Sequence, residues 1–563
     1  MKRSHARAAV ALAAASAIAV GISLVWLGPA GSGLAGRLAE RWADINGSAD
    51  QAGAVAGEAV VTVYSGGQGT PISPLIYGVA FADSTVLGQL GATVDRWGGN
   101  TATSYNWVTH SWNAGRDWEF RNKPADNADT FVASALAGNA TPLLTIPTIG
   151  YVARDGDNGT RSVGVPAGGG PPVSQASSRI AGYDPSANRL ATSIPSYARK
   201  PTAFVTDPAP NPSAVYQDEW VNHLIARFGS GSTGVHLFAM DNEPDIWSST
   251  HTDVHPVRMG YADMVSNFVQ YATAVKAVDP AALILGPDVC CWTSMFYSDL
   301  DRGTDNFRTH ADRNAHGGEA FLPWWLSQIA RHDAASRSRS LDFLDVHFYP
   351  QADGVFSDRA DPATQALRIR SVRSLWDPSY VDESWINTDV QLIPRLRGWI
   401  AASYPGTGIA ISEYNFGGER DASGAVAEAE ALGVFGREGV ALATYWTHPA
   451  ADSAVGGAFR AYRNFDGKGG QFGDRSLTAV SDAPGIRAFA SRHSNSNEID
   501  TVVVNESLRA TTHTRIGYTT APYHSVAAFC LQPGTSTIVP VALDSSSAFE
   551  MQPLSVCVVK AVQ

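Results

Sequence analysis

Eight short apolar runs, each followed by a stretch of helical period, set the tightest limit on how this chain folds. The runs are Leu75–Ala80, Ala92–Trp97, Pro142–Thr148, Val235–Met240, Ala282–Gly286, Leu341–Phe348, Gly408–Ser412 and Val440–Trp446. Several are apolar throughout, the pattern of parallel strands covered on both faces. Between runs, Val221, Leu224, Ile225 and Phe228 fall at i, i+3, i+4 and i+7. Met264, Phe268, Tyr271 and Val275 mark one face of the next helix, which ends before Pro280. Further helices are expected over 127–137, 319–332, 363–375, 391–402 and 425–436. A strand–helix unit repeated eight times predicts a (β/α)8 TIM barrel over an open doubly wound sheet.

Near Asp482 the rhythm changes. Glu498–Asn505, His513–Tyr518, His524–Leu531, Thr537–Ala542 and Pro553–Val562 read as short strands with no helix between them, so an additional antiparallel β-sandwich is expected. The segment Ala59–Ser65 is expected to add one strand to it. The organisation read from the sequence is therefore a leader at 1–35, a linker at 36–58, an N-terminal strand segment at 59–74, the barrel at 75–481 and the sandwich at 482–563. The insertion at 149–212, rich in Gly, Pro, Ser and Asn, is expected as loops on the functional face.

The leader is a secretory signal by its pattern. Lys2, Arg3 and Arg7 precede the almost uncharged stretch from Ala8 to Ala30, and small residues follow at Gly33-Leu34-Ala35. The stretch is long enough to span a bilayer, so an uncleaved surface anchor is the alternative. Either way the rest of the chain is expected outside the cell. Formal charge is −12, from 41 Lys and Arg against 53 Asp and Glu, and no basic cluster lies beyond the N-terminus. That argues against nucleic acid and anionic membrane surfaces as partners. Fifteen Trp and 18 Tyr suit a surface that handles a flat, polar, uncharged ligand.

Four cysteines fit an oxidising compartment. Cys530 and Cys557 share the C-terminal β-rich segment and are expected to pair. Adjacent Cys290 and Cys291 point to opposite sides if extended and read as two small apolar residues, with a vicinal disulfide as the second reading.

In a barrel of this kind, working residues lie where strands end and the following loops begin. Asp241-Asn242-Glu243-Pro244 follows the fourth run, and Glu413-Tyr414-Asn415 follows the seventh. Their strands lie across the barrel mouth from each other, so both carboxylates can reach one bound group. Paired carboxylates without a companion cation are what glycosidic bond hydrolysis needs, one to protonate the leaving oxygen and one to attack or to activate water. Sugar rings pack their C–H faces on aromatic planes. Trp97, Trp107, Trp292, Tyr349 and Trp446 lie at or just beyond strand ends and are candidate binding residues. Trp324 and Trp325 sit in a helical pattern and read as core. His347, in strand alternation with Asp345 and Tyr349, is expected to face the cleft and orient a carboxylate.

Five motifs in order sharpen this reading. Arg96-Trp97-Gly98-Gly99-Asn100-Thr101 with Tyr105-Asn106-Trp107, Asp241-Asn242-Glu243-Pro244 with Trp247 and Thr250-His251, Asp345-Val346-His347-Phe348-Tyr349-Pro350, Ser412-Glu413-Tyr414-Asn415, and Ala443-Thr444-Tyr445-Trp446 resemble family 44 of the glycoside hydrolases. The resemblance spans roughly residues 59–560. It implies a secreted endo-β-1,4-glucanase or xyloglucanase built from a (β/α)8 barrel and a β-sandwich, with Glu243 as acid/base, Glu413 as nucleophile and anomeric configuration retained. Glu243 must then be protonated near neutral pH and Glu413 ionised. Arg96 is the best-placed donor to Glu413, and Asn242 is matched to the sugar 2-hydroxyl. Asn100 and Tyr414, inside the shared motifs, complete the candidate binding set. Where the family commonly carries a His after Ser-Glu-Tyr-Asn, this chain has Asp421, a departure beside the nucleophile.

No cofactor is required by this chemistry. The loop with Asp155 and Asp157 is a candidate structural calcium site, although its spacing is not that of an EF-hand. The run Thr250-His251-Thr252-Asp253-Val254-His255 admits a metal by composition, but loop packing explains it equally well. The expected partner is a β-glucan polysaccharide and the expected state a monomer. A mannanase or xylanase on the same barrel, and an inactive carbohydrate-binding surface protein, are the alternatives. No HExxH, GxSxG or P-loop motif supports a protease, an esterase or a nucleotide enzyme.

Overall fold

The computed structural model describes residues 57–563 apart from 119, 161–191, 304 and 521. The leader at 1–35, nearly all of the linker and the middle of the insertion lie outside the described residues. None of the helices among the described residues is long and apolar enough to cross a membrane.

All eight apolar runs form strands of one closed barrel. In chain order they are Gly78–Ala80, Val94–Trp97, Thr141–Ile146, Leu237–Met240, Leu283–Val289, Phe343–Phe348, Gly408–Tyr414 and Leu442–Tyr445. Every neighbouring pair is parallel, and the eighth strand closes on the first through Thr444 against Gly78. Val94, Leu143, Leu237, Ala239, Leu285, Ala410 and Leu442 fill the barrel interior, so the lower lumen is packed side chain and the chemistry is left to the C-terminal mouth. The expected helices form the outer ring, among them Gln217–Phe228, Tyr261–Val278, Phe321–Ser336 and Leu392–Ser403. Two ring helices, Ser84–Leu90 and Ala454–Arg463, were not marked by the sequence pattern.

Two of the strands carry an extra residue, and both irregularities aim a carboxylate. Asp345 pairs with Ala410 and His347 with Glu413, so the seventh strand spends three steps where the sixth spends two. In plain alternation Glu413 would face away from Ala410 and out of the lumen; the bulge turns it inward beside His347. On the fifth strand, Pro287 pairs with Asp345 and Val289 with Val346, leaving Asp288 as the extra residue, at φ 57°.

The sandwich has two sheets. One runs Ala479–Ser481, Gly57–Val63, Thr512–Tyr518, Ala548–Met551, and the other contains seven strands centred on Glu498–Asn505 and Ser555–Val562. The N-terminal strand does join, as expected, but it lies parallel to Thr512–Tyr518, so the sandwich is not antiparallel throughout. Arg475–Leu477 and Ala479–Ser481 already belong to its sheets, a few residues before the change in rhythm at 482. Cys530 and Cys557 face each other in register and are disulfide-bonded. Helix Ala422–Glu438 lies between barrel and seven-stranded sheet, buried almost all round. Its Ala- and Gly-rich sequence follows from that position: a Cβ on Gly433 would come 2.3 Å from Phe489.

The insertion at 149–212 is not loop alone. Tyr151–Ala153 pairs with Ser193–Tyr197, and Val215–Tyr216 extends that small sheet. The sulfurs of Cys290 and Cys291 are also joined, where two separate small residues were the first expectation.

Candidate active site

Five strand ends supply the centre of the mouth. Arg96 comes from the second strand, Asn242 and Glu243 from the fourth, Asp288 from the fifth, Asp345, His347 and Tyr349 from the sixth, and Glu413 from the seventh. Glu243 is 8% and Glu413 4% exposed. One carboxylate oxygen from each, together with a ring nitrogen of His347, lie within 4.8 Å of one another.

The surroundings of the two glutamates differ. Arg96 Nη1 donates to Glu413 Oε1 at 2.6 Å, and the Tyr349 hydroxyl donates to Glu413 Oε2 at 2.8 Å. Both of its oxygens are thereby engaged by donors that favour a carboxylate. Glu243 has one close partner, His347 Nδ1, 2.9 Å from Oε1. Burial pushes the Glu243 carboxyl up to about 7, against the pull of His347 and with help from the Glu413 charge. The Glu243 backbone is left-handed, at φ 48°, and its N–H donates to the Asp288 carbonyl. Strain of this kind is held by the turn Pro244–Ile246 that follows.

A second layer of charge sits beneath. His347 Nε2 is 2.5 Å from Asp288 Oδ1, and Arg96 Nη2 is 3.5 Å from Asp288 Oδ2. Burial opposes charge on both Asp288 and His347. Asp288 nevertheless lies below the usual carboxylate range, because His347 and Arg96 face it. Conversely, the Glu413 and Asp288 charges lift the His347 imidazole well above its ordinary value. Asp345 is raised to about 7 by burial and by the Asp288 charge. The Arg96 and His347 side chains thus stand against the Glu413 and Asp288 carboxyls, while burial favours the protonated forms of Glu243 and Asp345.

Asn242 accepts at Oδ1 from Arg96 Nη2 and from the Gly99 N–H, both at 3.0 Å. Gly99 has φ 78°, and a Cβ there would come 2.4 Å from Trp446 Cη2, which is why the chain turns on glycine here. Trp446 is half-buried, with the Arg96 guanidinium 5.7 Å from its ring centroid. Tyr349 and Trp446 are therefore brought to the centre along with Arg96, Asn242 and His347.

Other candidates lie elsewhere. Trp97 and Trp107 are 1% and 4% exposed; Trp97 packs against Tyr105, Trp112 and Phe131, and Trp107 against His223. Neither offers an open face, and both are corrected from binding platforms to interior packing. Tyr414 is also corrected. It is fully buried, and its hydroxyl donates to Glu428 of the helix beyond the barrel wall, because the residue after an inward Glu413 must point outward. Trp292 packs against Phe296 with Arg395 over its ring, and Asn100 donates to Asp117; neither touches the acid cluster. Asp421 caps helix Ala422–Glu438 through Ser423 and receives both Gln365 contacts, a structural role for the residue that departs from the family pattern.

Sequence reasoning missed Asp288, although it stands at a strand end like the others. It also passed over Trp385, 54% exposed, whose Nε1 donates to Gln351, which in turn donates to the Tyr349 carbonyl. Among the described residues, His, Cys, Asp or Glu side chains whose ligand atoms converge form three groups: Glu243, His347, Glu413; Asp245, Cys290, Cys291; and His493, Glu498, Asp500. Neither Asp155 with Asp157 nor the His251–His255 run is among them. Asp155 and Asp157 accept from backbone N–H groups in their own turn.

The chain is similar to known proteins in sequence and in fold. Residues 111–352 match the sequence profile of glycoside hydrolase family 44. The chain is 32% identical over 483 residues to endoglucanase A of Paenibacillus lautus, covering 81% of this chain and 64% of that protein's length. It is similar to the crystal structure of a bifunctional glucanase-xylanase from a metagenome library, at 33% identity and a TM-score of 0.80, over 90% of this chain and all of the other. A xyloglucanase of Paenibacillus polymyxa from the same family superposes at 28% identity and a TM-score of 0.78, again over 90% of this chain and all of the other.

Proposed function

This chain belongs to glycoside hydrolase family 44, and from that premise we propose that it is an exported, retaining endo-acting hydrolase of β-1,4-glucans such as cellulose or xyloglucan. Glu243 is the acid/base and Glu413 the nucleophile. The observation that carries the assignment is their proximity: a carboxylate oxygen of one lies within 4.8 Å of a carboxylate oxygen of the other, which favours direct attack over activation of an intervening water. Retaining pairs stand about 5–5.5 Å apart and inverting pairs about 6.5–9.5 Å.

In the first step Glu243 gives its proton to the glycosidic oxygen while a Glu413 oxygen bonds to the anomeric carbon, and the leaving chain departs with the proton. In the second, Glu243, now a carboxylate, takes a proton from water as that water's oxygen displaces Glu413. The Arg96 and Tyr349 donors receive the charge that returns to Glu413. Asn242, its Oδ1 already occupied by two donors, is left to offer Nδ2 to the sugar 2-hydroxyl. Trp446 and the exposed indole of Trp385 are the aromatic faces for neighbouring sugar rings. Two carboxylates and water suffice, so no cofactor takes part. Export rests on the basic and apolar leader.

Glu413→Ala should lose cleavage of both polymers and activated aryl glycosides. Glu243→Ala should lose polymer cleavage yet keep much of the first step on substrates with excellent leaving groups. Polymer cleavage by Glu413→Ala above about a few per cent of the parent would place the nucleophile elsewhere. A broader specificity that includes xylan is favoured by the likeness to the bifunctional glucanase-xylanase. Product profiles on carboxymethyl cellulose, xyloglucan, glucomannan and xylan decide between the two.

A further inference from the structure

Beneath the two glutamates, the Arg96 guanidinium comes within contact distance of the His347 imidazole. Arg96 Nη2 lies 3.4 Å from His347 Nε2, and both side chains are fully buried. Left alone, that approach would drive the proton off the imidazole. Asp288 lies against both: Oδ1 meets His347 Nε2 at 2.5 Å and Oδ2 faces Arg96 Nη2 at 3.5 Å. Its side chain is also fully buried, and it reaches this place only because it is the extra residue of the fifth strand, in a left-handed conformation. A β-bulge and a left-handed backbone that deliver one carboxylate between a guanidinium and an imidazole are features of a working site rather than of packing alone.

We propose that Asp288 is a positioning residue that keeps His347 in its imidazolium form, so that Nδ1–H points at the glutamate pair and the mobile proton of the site stays on Glu243. The inference rests on the assignment of Glu243 and Glu413 above. The groups that face His347 are Arg96 from the second strand, Glu243 from the fourth, Asp288 from the fifth, Asp345 and Tyr349 from its own strand and loop, and Glu413 from the seventh. Of these, Asp288 is the anion on the Nε2 side. With both ring nitrogens protonated, Nδ1 donates to Glu243 Oε1 and, at 3.5 Å, faces Glu413 Oε2. If the ring were neutral with its hydrogen on Nε2, Nδ1 would become an acceptor, and the Glu243 proton would be drawn to it instead of to the leaving oxygen. The geometry therefore links the carboxylate of the fifth strand, across the imidazole ring, to the direction of proton transfer.

The direct test uses the unmodified chain. In 15N-histidine NMR spectra, His347 should show both ring nitrogens protonated at pH 7, identified by the loss of its signals in His347→Gln; a neutral single tautomer at that pH overturns the proposal. The second test is the pH dependence of kcat/KM in Asp288→Asn. Removing one negative charge makes the cluster release its proton more readily, so the alkaline limb should move down by about 1–3 units, and Asp288→Glu should restore most of the shift. The position of a limb does not depend on how much of the sample is folded. A lowered rate with an unmoved limb would make Asp288 a structural residue only. In the His347→Gln background the same substitution should leave the limb where it is; an equal shift there would show that Asp288 does not act through His347. If the glutamate assignment itself were wrong, Glu413→Ala would retain polymer cleavage while these titrations could still behave as described, so the two failures are distinguishable.

Discussion

Replacing Glu243 with Gln should stabilise the folded chain at pH 8 and leave its stability almost unchanged at pH 4.5. Burial lifts this carboxyl from 4.5 to about 7, and at about 1.4 kcal/mol for each tenfold change in proton affinity this amounts to roughly 3.5 kcal/mol. The sign follows from where each state titrates. Below about pH 4.5 the folded and unfolded chains both hold the proton. Between 4.5 and 7 the unfolded chain releases it while the folded chain retains it, so stability falls through that window and the loss is complete above 7. Gln carries no charge at any pH and keeps an acceptor for His347 Nδ1, so the variant escapes the loss. For a body of roughly 500 residues the unfolding entropy is about 1 kcal/mol/K, and the gain at pH 8 is a rise in Tm of about 3 °C. Scanning calorimetry of parent and variant at both pH values reads it. An equal gain at both, or a lower Tm for the variant at pH 8, would refute the claim that burial holds the proton on Glu243.

Three further outcomes follow from the same geometry. The kcat/KM of the parent should fall above about pH 7, as Glu243 loses the proton it must donate; a profile flat to pH 9 would exclude this group as the acid. Tyr349→Phe removes a 2.8 Å donor from Glu413 Oε2, and the loss of a hydrogen bond to a charged group should slow breakdown of the glycosyl-enzyme by about 10-fold or more. Pre-steady-state kinetics on an aryl glycoside separates that step. Tyr414→Phe leaves buried Glu428, already pushed up to about 8, without its donor, and should lower stability by about 1–3 kcal/mol with kcat and KM unchanged; a raised KM would return Tyr414 to the binding surface.

The barrel was readable because its strands are buried on both faces and so appear as uninterrupted apolar runs. Helix Ser84–Leu90 escaped notice because it is short, whereas Ala454–Arg463 does bury Val455, Phe459 and Tyr462 along one face and could have been marked by that spacing. Strand-end logic pointed to Glu243, Glu413, Arg96 and His347, which the fold brings to the mouth, but it does not say which of two adjacent residues faces it. Alternation settles that for Arg96 against Trp97, and it removes Trp97 from the site. On the seventh strand alternation alone gives the wrong answer, since the bulge between Ala410 and Glu413 reverses the facing. Asp288 was hidden for the same reason. Its place depends on a one-residue register shift against the sixth strand, and such shifts arise from pairing between strands that sequence patterns describe one at a time.

The stereochemistry of the first-formed product tests the central assignment most directly. Proton NMR of a β-1,4-glucan oligosaccharide, recorded within the first minutes of cleavage and before mutarotation, should show the β-anomer of the new reducing end appearing first. Initial appearance of the α-anomer would mean that water attacks the sugar directly, and Glu413 would not be the nucleophile.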